Sequence, residues 1–302
     1  MKLSIVTAMY KSEGFVKPFY EQCTALGETI SDELEIIFVD DRSPDQSAAV
    51  VEELLASDKR VRLIQLSRNF GQSAAMLAGM TRATGDYVYT SDIDLEDPPE
   101  LMVTFHQMMR DDRQLQSAYG YMMRRQGRLL ERWVGRLFYI LLGVLSQERI
   151  PHQVWSRMMT RKFLDALLQF TEYHLFWSGL FHHVGFKQVG VPVERRKTGT
   201  TSYNFARKLE LALSAITSFS VSPLKMIFVI GTLVSLGSFT GVLYLVWRHH
   251  RGDLVPGWAS IVLSVLMVGG VTNLSIGLIG IYVGRIFIQS KRRPIFLVDR
   301  EL

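Results

Sequence analysis

The sequence has 302 residues and carries 34 lysines and arginines against 29 aspartates and glutamates, a formal net charge of +5. This modest balance argues against a nucleic-acid-binding protein, which concentrates basic residues on one surface, so no nucleic acid is expected as a partner. The single cysteine, Cys23, excludes an internal disulfide and fits a reducing compartment.

Residues 1–120 alternate strand and helix patterns. Strands are predicted at Leu3–Ala8, Glu35–Val39, Val61–Leu66 and Tyr87–Ser91, and helices at Glu13–Leu26, Pro44–Ala56 and Gly71–Ala83. Short apolar strands between amphipathic helices predict an α/β fold with a mostly parallel, doubly wound sheet covered on both faces. Ligands of such sheets bind at the carboxyl ends of the strands, near a topological switch point.

Two acidic pairs fall at predicted strand ends. Asp92 and Asp94 follow the fourth strand, and side chains two apart on an extended segment share a face. Converging carboxylates suit a hard divalent cation, so the pair predicts a Mg²⁺ or Mn²⁺ site. Asp40 and Asp41 follow the second strand, where a carboxylate can accept hydrogen bonds from a nucleobase or a ribose.

Part of the acidic run also fits helix capping. Asp97 is a good N-cap residue, Pro98 suits the first helical position and Glu100 completes a capping-box spacing. Ser43 followed by Pro44 and Gln46 repeats this pattern. We therefore predict structural roles for these residues, whereas Asp92 and Asp94 lie too far upstream to cap the same helix.

Basic and amide side chains are candidates for phosphate contacts. Asn69 and Gln72 precede a predicted helix N-terminus, a plausible diphosphate neighbourhood. Arg124 and Arg125 follow a predicted strand and could neutralise a leaving diphosphate, although an exposed basic loop explains one of the two equally well. His182 and His183 are predicted on a strand with opposite directions, which argues against a shared metal site.

The middle of the chain has two helical patterns and a basic loop. Gly127–Gln147 is amphipathic with arginines at four-residue spacing, which fits either a helix on a membrane surface or an ordinary core-facing helix with a solvated basic face. The loop that follows short predicted strands contains Arg195, Arg196 and Lys197. A further amphipathic helix is predicted at Phe205–Phe219.

The C-terminal third contains two long apolar runs without a charged residue, about 226–247 and 258–283. Both are predicted transmembrane helices, and basic residues outside this hairpin place the large domain and the tail in the cytoplasm by the positive-inside rule. The apolar stretch at the N-terminus is too short for a signal peptide. We divide the chain into 1–125, a nucleotide-binding core, 126–224, an acceptor-side and membrane-interface region, and 225–302, two spans and a tail.

At this point the sequence resembles a known family, the membrane-anchored, inverting family 2 glycosyltransferases of the GT-A (Rossmann-like) fold that act on polyprenyl phosphates. They include dolichyl-phosphate mannose synthases and bacterial undecaprenyl-phosphate glucosyltransferases. The resemblance rests on Val39-Asp40-Asp41 with Ser43, Asn69-Phe70-Gly71-Gln72 with Gly79, the run from Asp92 to Glu100, and the two apolar C-terminal runs.

The resemblance implies a role for each candidate residue. Asp40 and Asp41 would contact the nucleoside of a sugar nucleotide, and Asp92 and Asp94 would hold Mg²⁺ or Mn²⁺ against its diphosphate. Arg124 or Arg125 and the loop of Arg195, Arg196 and Lys197 would hold the acceptor phosphate or the donor diphosphate. The implied reaction makes a lipid-linked sugar for the cell envelope, such as for lipopolysaccharide modification, at the inner membrane.

The sequence departs from the family in one place that bears on chemistry. Many relatives have Asp-Phe-Arg-Leu where this chain has Trp155-Ser156-Arg157-Met158, so Arg157 is kept as a catalytic candidate and the aspartate is lost. Either no base is needed, because a phosphate acceptor with a second pKa near 6 is already an anion, or Glu172 substitutes, or the activity is altered.

Two rival functions are compatible with parts of the sequence. A processive polysaccharide synthase would need more spans, and a catalytically silent nucleotide-binding membrane scaffold is supported by Trp155 alone. The sequence leaves the sugar, the nucleotide and the oligomeric state open, a homo-oligomer included.

Overall fold

A computed structural model describes residues 1–122, 153–173, 175–194, 222–251 and 257–302. These residues fall into two compact units, which are considered separately. The first unit holds the sheet and the helices packed on it. The second holds two long helices.

The first unit alternates strands and helices along most of its length. Its strands are β1 (Lys2–Met9), β2 (Glu33–Asp40), β3 (Val61–Leu66), β4 (Tyr87–Thr90), β5 (Ser117–Met122), β6 (Gln153–Thr160), β7 (Gln188–Val193) and β8 (Val298–Glu301). Its helices are α1 (Glu13–Glu28), α2 (Ser47–Ser57), α3 (Gln72–Arg82), α4 (Leu101–Asp111), α5 (Arg161–Leu167) and α6 (Trp177–His183). The seven elements predicted before residue 92 all form, with ends within three residues of the prediction.

The strands make one eight-stranded sheet in the order β7-β5-β6-β4-β1-β2-β3-β8. Strands β3, β2, β1 and β4 run parallel, and β6 and β8 are antiparallel to their neighbours on either side of this core. The strand order reverses at β1, because β2 and β3 lie on one side of it and β4 on the other. The carboxyl ends of β1 and β4 therefore flank the topological switch point.

Close packing of α3 on the sheet depends on one glycine. A Cβ atom on Gly79 would lie 2.4 Å from Val6 Cγ1 and 2.8 Å from Val39 Cγ2. Only hydrogen fits there, so the helix axis can approach β1 and β2 closely. This contact brings the first residue of α3 to the carboxyl edge of the sheet.

Two predicted helix starts are wrong. Helix α2 begins at Ser47, where Asp45 accepts hydrogen bonds from the backbone and hydroxyl of that serine (3.2 and 2.6 Å), so Ser43 is not its N-cap. Helix α4 begins at Leu101 with Glu100 at the N-cap position, not at Pro98. In both segments the capping pattern coincides with a longer turn, because the side chains that match it take tertiary partners instead.

His182 and His183 lie at the end of α6, not on a strand as predicted. Consecutive helical residues also point about 100° apart, since a turn holds about 3.6 residues. Their separation, and the conclusion that they do not share a metal site, therefore survives the change of element.

The second unit contains α7 (Ser222–His250) and α8 (Trp258–Ser290). In the part of the chain that the structure describes, one segment, Met267–Ser290, is long and apolar enough to cross a membrane, and Ile227–Gly241 is a shorter apolar helix. The segments predicted as spans at about 226–247 and 258–283 both form helices, but a hairpin of two transmembrane helices is not confirmed. Large apolar side chains of both helices are exposed, including Phe228, Phe239 and Ile286.

Candidate functional site

The candidate site is the carboxyl edge of β2, β1 and β4, where the sequence predicted two acidic pairs. Neighbouring strands in a sheet are about 4.8 Å apart, so β2 and β4, with β1 between them, are separated by about 10 Å. One acidic pair ends β2 and the other follows β4. The two pairs thus lie on opposite sides of the switch point, on a scale that suits one small ligand.

Asp40 is fully buried at the end of β2. Its Oδ1 accepts a hydrogen bond from the backbone N–H of Ser43 at 2.9 Å, and its Oδ2 accepts one from Gln65 Nε2 at 2.7 Å. Buried carboxylates need such donors, because an unpaired charge is costly away from water. The geometry favours a role for Asp40 in ordering the Asp40–Ser43 turn.

Asp41 is 2% exposed and forms hydrogen bonds with the backbone of the loop that leads into α3. Its two carboxylate oxygens accept the backbone N–H groups of Phe70 and Gly71 at 2.7 and 2.8 Å. Burial raises the pKa of the Asp41 carboxyl, the two N–H donors oppose this, and nearby Asp40 adds to it. Gly71 has a φ of +92°, a conformation that suits glycine, so this loop has a fixed and unusual shape.

The same loop reaches the second acidic pair through Gln72. Gln72 Nε2 donates a hydrogen bond to Asp92 Oδ1 at 2.6 Å. Within the loop, the Arg68 guanidinium stacks 4.0 Å from the centre of the Phe70 ring, and Arg68 and Asn69 are exposed. The segment Asn69–Gln72 therefore joins the two acidic pairs and presents polar groups to the solvent.

Asp92 and Asp94 lie in a turn after β4, which ends at Thr90, so the extended segment predicted for them is wrong. Their side chains still leave the core together, because Ile93 between them is 7% exposed and both aspartates are partly exposed. The Asp94 Oδ1 accepts the backbone N–H of Glu96 at 3.0 Å, and Leu95 between them has a φ of 56°. A turn, and not an extended strand as predicted, therefore places both carboxylates at the surface.

The donor chemistry of this turn fits a hard divalent cation. Mg²⁺ takes oxygen ligands and commonly binds through one or two carboxylates, with water and phosphate oxygens as the remaining ligands. Among the described residues there is no group of three or more His, Cys, Asp or Glu side chains that could enclose a metal. The pair thus fits an ion shared with a bound phosphate more than a closed protein site.

A buried network of hydrogen bonds connects the acidic turn after β4 to the sheet. Ser156 on β6 donates its hydroxyl to Asp97 Oδ2 at 2.8 Å, and Ser156 Oγ lies 3.1 Å from Ser91 Oγ. Asp97 is 1% exposed, so it holds the end of the turn against the sheet. This contact belongs to the residue that the sequence suggested as a helix cap.

Arg157, predicted as a catalytic residue, is 1% exposed. Its Nη1 donates to Ser117 Oγ at 2.7 Å and to Gln188 Oε1 at 2.8 Å, and its guanidinium lies 3.9 Å from the centre of the Phe181 ring. Burial lowers the pKa of the guanidinium, and proximity to Tyr119 opposes this. These contacts join β5, β6 and β7, which favours a structural role over contact with a substrate.

Trp155 stands where relatives were expected to have an aspartate. Its carbonyl accepts the Thr90 hydroxyl at 2.8 Å, and Thr90 pairs with Arg157 in the β4–β6 ladder. This contact places Trp155 at the end of β4, from which the acidic turn continues. Its ring packs 5.8 Å from that of Trp177, so the position is aromatic rather than acidic.

Some of the remaining candidate residues lie outside the part of the chain that the structure describes. Five predicted phosphate-binding residues lie outside the described residues: Arg124, Arg125, Arg195, Arg196 and Lys197. The amphipathic segments Gly127–Gln147 and Phe205–Phe219 lie outside them as well. Glu172, the alternative base, is described, and burial raises the pKa of its carboxyl while nearby His183 opposes the shift.

Two residues of this edge escaped sequence reasoning. Gln65 is the last residue but one of β3 and contacts Asp40, but a single glutamine in a strand carries no signal of that contact. Tyr10 follows β1 and is 46% exposed, and an exposed aromatic ring at the carboxyl end of the central strand is a signal that could have been read.

The chain is similar to known proteins over nearly its full length. The model of the family "Glycosyl transferase family 2" matches residues 4–168. A "Prophage bactoprenol glucosyl transferase homolog" of Escherichia coli (strain K12) is 32% identical over 99% of this chain and 99% of the relative. A "Bactoprenol glucosyl transferase" of Shigella phage SfV is 32% identical over 100% of this chain and 99% of the relative.

Among solved structures, glucosyl-3-phosphoglycerate synthase from Mycobacterium tuberculosis, in complex with Mn²⁺, uridine diphosphate and phosphoglyceric acid, matches with a TM-score of 0.50. The identity is 17%, over 72% of this chain and 76% of that one, so the likeness concerns the fold. With the family match, it confirms the GT-A, Rossmann-like sheet.

Proposed function

The chain belongs to glycosyl transferase family 2, and from this premise we propose that it moves a sugar from a nucleotide-sugar donor to a polyprenyl phosphate, with inversion. The observation that carries the proposal is the match, over nearly the full length of both chains, to relatives named as bactoprenol glucosyl transferases. Bactoprenol is a polyprenol, and its phosphate supplies the acceptor chemistry proposed here.

The geometry of the sheet edge supports a nucleotide-sugar site. The loop held by Asp41 places Gln72 against Asp92 and leaves Asn69 exposed, so polar groups lie next to the carboxylate pair after β4. A sugar diphosphate needs such donors, and its negative charge needs a cation between it and the carboxylates. Arg124 and Arg125 remain proposed as further partners of the donor diphosphate.

We assign Asp92 and Asp94 as the residues that would hold Mg²⁺ or Mn²⁺. When bound, the ion would stabilise the negative charge that develops on the departing nucleoside diphosphate. The turn after β4 keeps the two carboxylates partly exposed at one edge, with Gln72 orienting Asp92 and the Glu96 N–H orienting Asp94.

The transfer of the sugar requires no strong base. An oxygen of the acceptor phosphate forms a bond to the anomeric carbon of the sugar from the face opposite the diphosphate. The bond from that carbon to the diphosphate oxygen breaks, and its electron pair leaves with the nucleoside diphosphate. The acceptor has a second pKa near 6, so it is largely a dianion at neutral pH and has no proton to lose.

We propose a membrane arrangement for the two long helices. Both α7 and α8 would span the inner membrane as a hairpin, with the sheet unit and the chain after α8 in the cytoplasm. Exposed apolar side chains along both helices support burial in lipid, and Met267–Ser290 is long enough to span. We propose that Arg195, Arg196 and Lys197 bind the acceptor phosphate at the membrane surface.

One assay tests the activity. The full chain, purified in detergent, is incubated with Mg²⁺, undecaprenyl phosphate and each of several radiolabelled sugar nucleotides, and label extracted into an organic phase is counted. We expect label to appear with at least one donor and to depend on the lipid phosphate. Nucleotide binding without transfer would favour a silent scaffold, and label retained in long polymer would favour a processive synthase.

A further inference from the structure

The last strand of the chain completes the edge of the sheet next to the proposed nucleotide site. Strand β8 pairs antiparallel with β3, and Gln65 lies opposite Arg300 in this ladder. Backbone hydrogen bonds fix it, since Leu63 and Leu302 exchange N–H and carbonyl contacts at 2.9 Å in both directions. A short polar strand thus docks on the edge strand and covers it.

Gln65 links this strand to the acidic turn after β2. Arg300 Nε donates to Gln65 Oε1 at 2.8 Å, while Gln65 Nε2 donates to Asp40 Oδ2 at 2.7 Å. A glutamine amide has one acceptor end and one donor end, so the cation and the carboxylate together fix its orientation. Arg300 is held in turn by a hydrogen bond from its Nη2 to Glu52.

A second contact from β8 reaches the same turn. Arg42 Nη1 lies 2.8 Å from Asp299 Oδ2, in an ion pair whose two side chains are half exposed. Arg42 has a φ of 57°, in the left-handed region, between Asp41 and the Ser43 N–H that binds Asp40. Strand β8 is therefore linked to the first residue of the turn Asp40–Ser43 through Gln65 and contacts its third residue directly.

We propose that Arg300 is a positioning residue of the nucleotide site, acting through Gln65 on Asp40 and the Asp40–Ser43 turn. This inference rests on the proposed function, because it assigns that turn to the binding of the nucleoside diphosphate part of the donor. Strand β8 then sets nucleotide affinity without touching the nucleotide.

The same strand offers a matched control. Glu301 forms ion pairs with Arg62 at 2.5 Å and with Arg82 at 3.1 Å, toward the amino-terminal end of β3 and away from the turn. Glu301→Ala removes strand-docking contacts without breaking the link to Asp40. Arg300→Ala removes both a docking contact and the link.

The experiment uses the full chain in detergent and measures the Kd of UDP, GDP, CDP and dTDP with Mn²⁺ by calorimetry, with the Tm of each variant. For the diphosphate that the unaltered chain binds, Arg300→Ala is expected to raise Kd roughly tenfold, the size expected when a charge-assisted hydrogen bond is lost. Arg300→Ala and Glu301→Ala are expected to lower Tm by similar amounts. Glu301→Ala is expected to change Kd by less than about twofold.

Gln65→Glu separates positioning from docking. It keeps an acceptor for Arg300 but places a second carboxylate against the buried Asp40. We therefore expect Kd to rise although the contact between Arg300 and residue 65 is kept, with a lower Tm from the repulsion of the two carboxylates. Arg300→Lys keeps a donor and is expected to restore most of the affinity.

The outcomes distinguish the two proposals. Suppose that the unaltered chain binds a diphosphate. The positioning role alone is then overturned if Arg300→Ala has the same Kd as the unaltered chain, or if Glu301→Ala raises Kd as much as Arg300→Ala does. If the unaltered chain binds none of the four diphosphates, the proposed function fails and this inference fails with it.

Discussion

Gln72, the first residue of α3, donates a 2.6 Å hydrogen bond to Asp92, the first acidic residue after β4. This contact joins two segments that are twenty residues apart in sequence and lie on different elements. It also orients one member of the proposed metal pair. The loop before α3 and the acidic turn therefore act as one structural feature, with Asp41 holding its other end.

Asp94→Asn is expected to abolish sugar transfer while the protein stays folded. The substitution keeps the hydrogen-bonding shape at a partly exposed position but removes the charge that a divalent cation needs. We expect kcat to fall by at least a hundredfold, the scale at which loss of a charge-stabilising group acts. The lipid-extraction assay measures the loss, and an unchanged Tm shows that folding is intact.

The matched variant is Glu96→Gln, which lies in the same turn and contributes its backbone N–H, not its side chain, to the contact with Asp94. It should retain most of the activity. Full activity in Asp94→Asn would remove the metal role from this residue.

Sequence reasoning succeeded where local pattern and burial agree. The apolar runs that became β1 to β4 are buried on both faces, so hydrophobicity alone marks them, as in Ile36 to Val39. The position of Asp40, Asp41, Asp92 and Asp94 at strand ends followed from those runs. The fold class could therefore be predicted from residues 1–91 alone.

It failed where long-range partners decide. Ser43 matches a capping pattern, yet its hydroxyl accepts the N–H of Lys11, which follows β1, at 3.2 Å. The strand Val298–Glu301 has no alternating apolar pattern, and it forms because β3 offers an unpaired edge. Neither partner can be read from the segment itself, since both are set by the completed sheet.

Glu35→Gln is expected to reduce stability at neutral pH and to flatten its dependence on acid. Glu35 is 5% exposed and accepts hydrogen bonds from Ser4 Oγ and from the Thr84 N–H, both at 2.6 Å. Burial alone would raise the pKa of this carboxyl, but these donors and nearby Lys2 lower it below its usual value.

Because the folded-state pKa is lowered, the stabilisation is present above the unfolded pKa, about 4.3, and is lost as pH falls through the folded value. The substitution should cost about 1–3 kcal/mol at pH 7, the range for a disturbed buried hydrogen-bonding group. Tm measured from pH 7 to pH 3 checks this. Glu53→Gln, at an exposed ion pair with Lys17, should leave the curve unchanged.

Gly79→Ala should destabilise the sheet unit, because the added methyl would lie 2.4 Å from Val6 Cγ1. Over-packing of a core typically costs about 1–3 kcal/mol, and here it would also push α3 and Gln72 away from Asp92. We expect a lower Tm together with a weaker donor affinity. Gly14→Ala, in α1 with nothing within 4 Å of the added atom, should keep both values.

The proposed hairpin predicts different accessibility for two arginines near the helix ends. Arg251→Cys, after α7, should react with a membrane-impermeant maleimide in intact spheroplasts, whereas Arg293→Cys, after α8, should react only in inverted vesicles. The unaltered chain is the blank, since burial raises the pKa of the Cys23 thiol to about 12 and keeps it inert. Labelling of both cysteines from the same side would contradict two spans.

Trp155→Asp restores the acidic residue that relatives were expected to have, and we expect it not to raise kcat above that of the unaltered chain. Trp155 accepts the Thr90 hydroxyl at the end of β4 and packs on Trp177, so an aspartate there would lie next to the start of the acidic turn. If the acceptor phosphate is already an anion, an added base has no proton to remove. The new charge would also remove an aromatic contact.

The pH profile of kcat separates this explanation from its rivals. Without a protein base, the rate of the unaltered chain should rise with pH through about 6, the second pKa of the phosphate, and then level off. Glu172→Gln should keep that profile, although burial raises the pKa of the Glu172 carboxyl above its usual value. A tenfold gain in Trp155→Asp, or a loss of activity in Glu172→Gln at unchanged Tm, would instead show that a carboxylate accepts a proton in the transfer step.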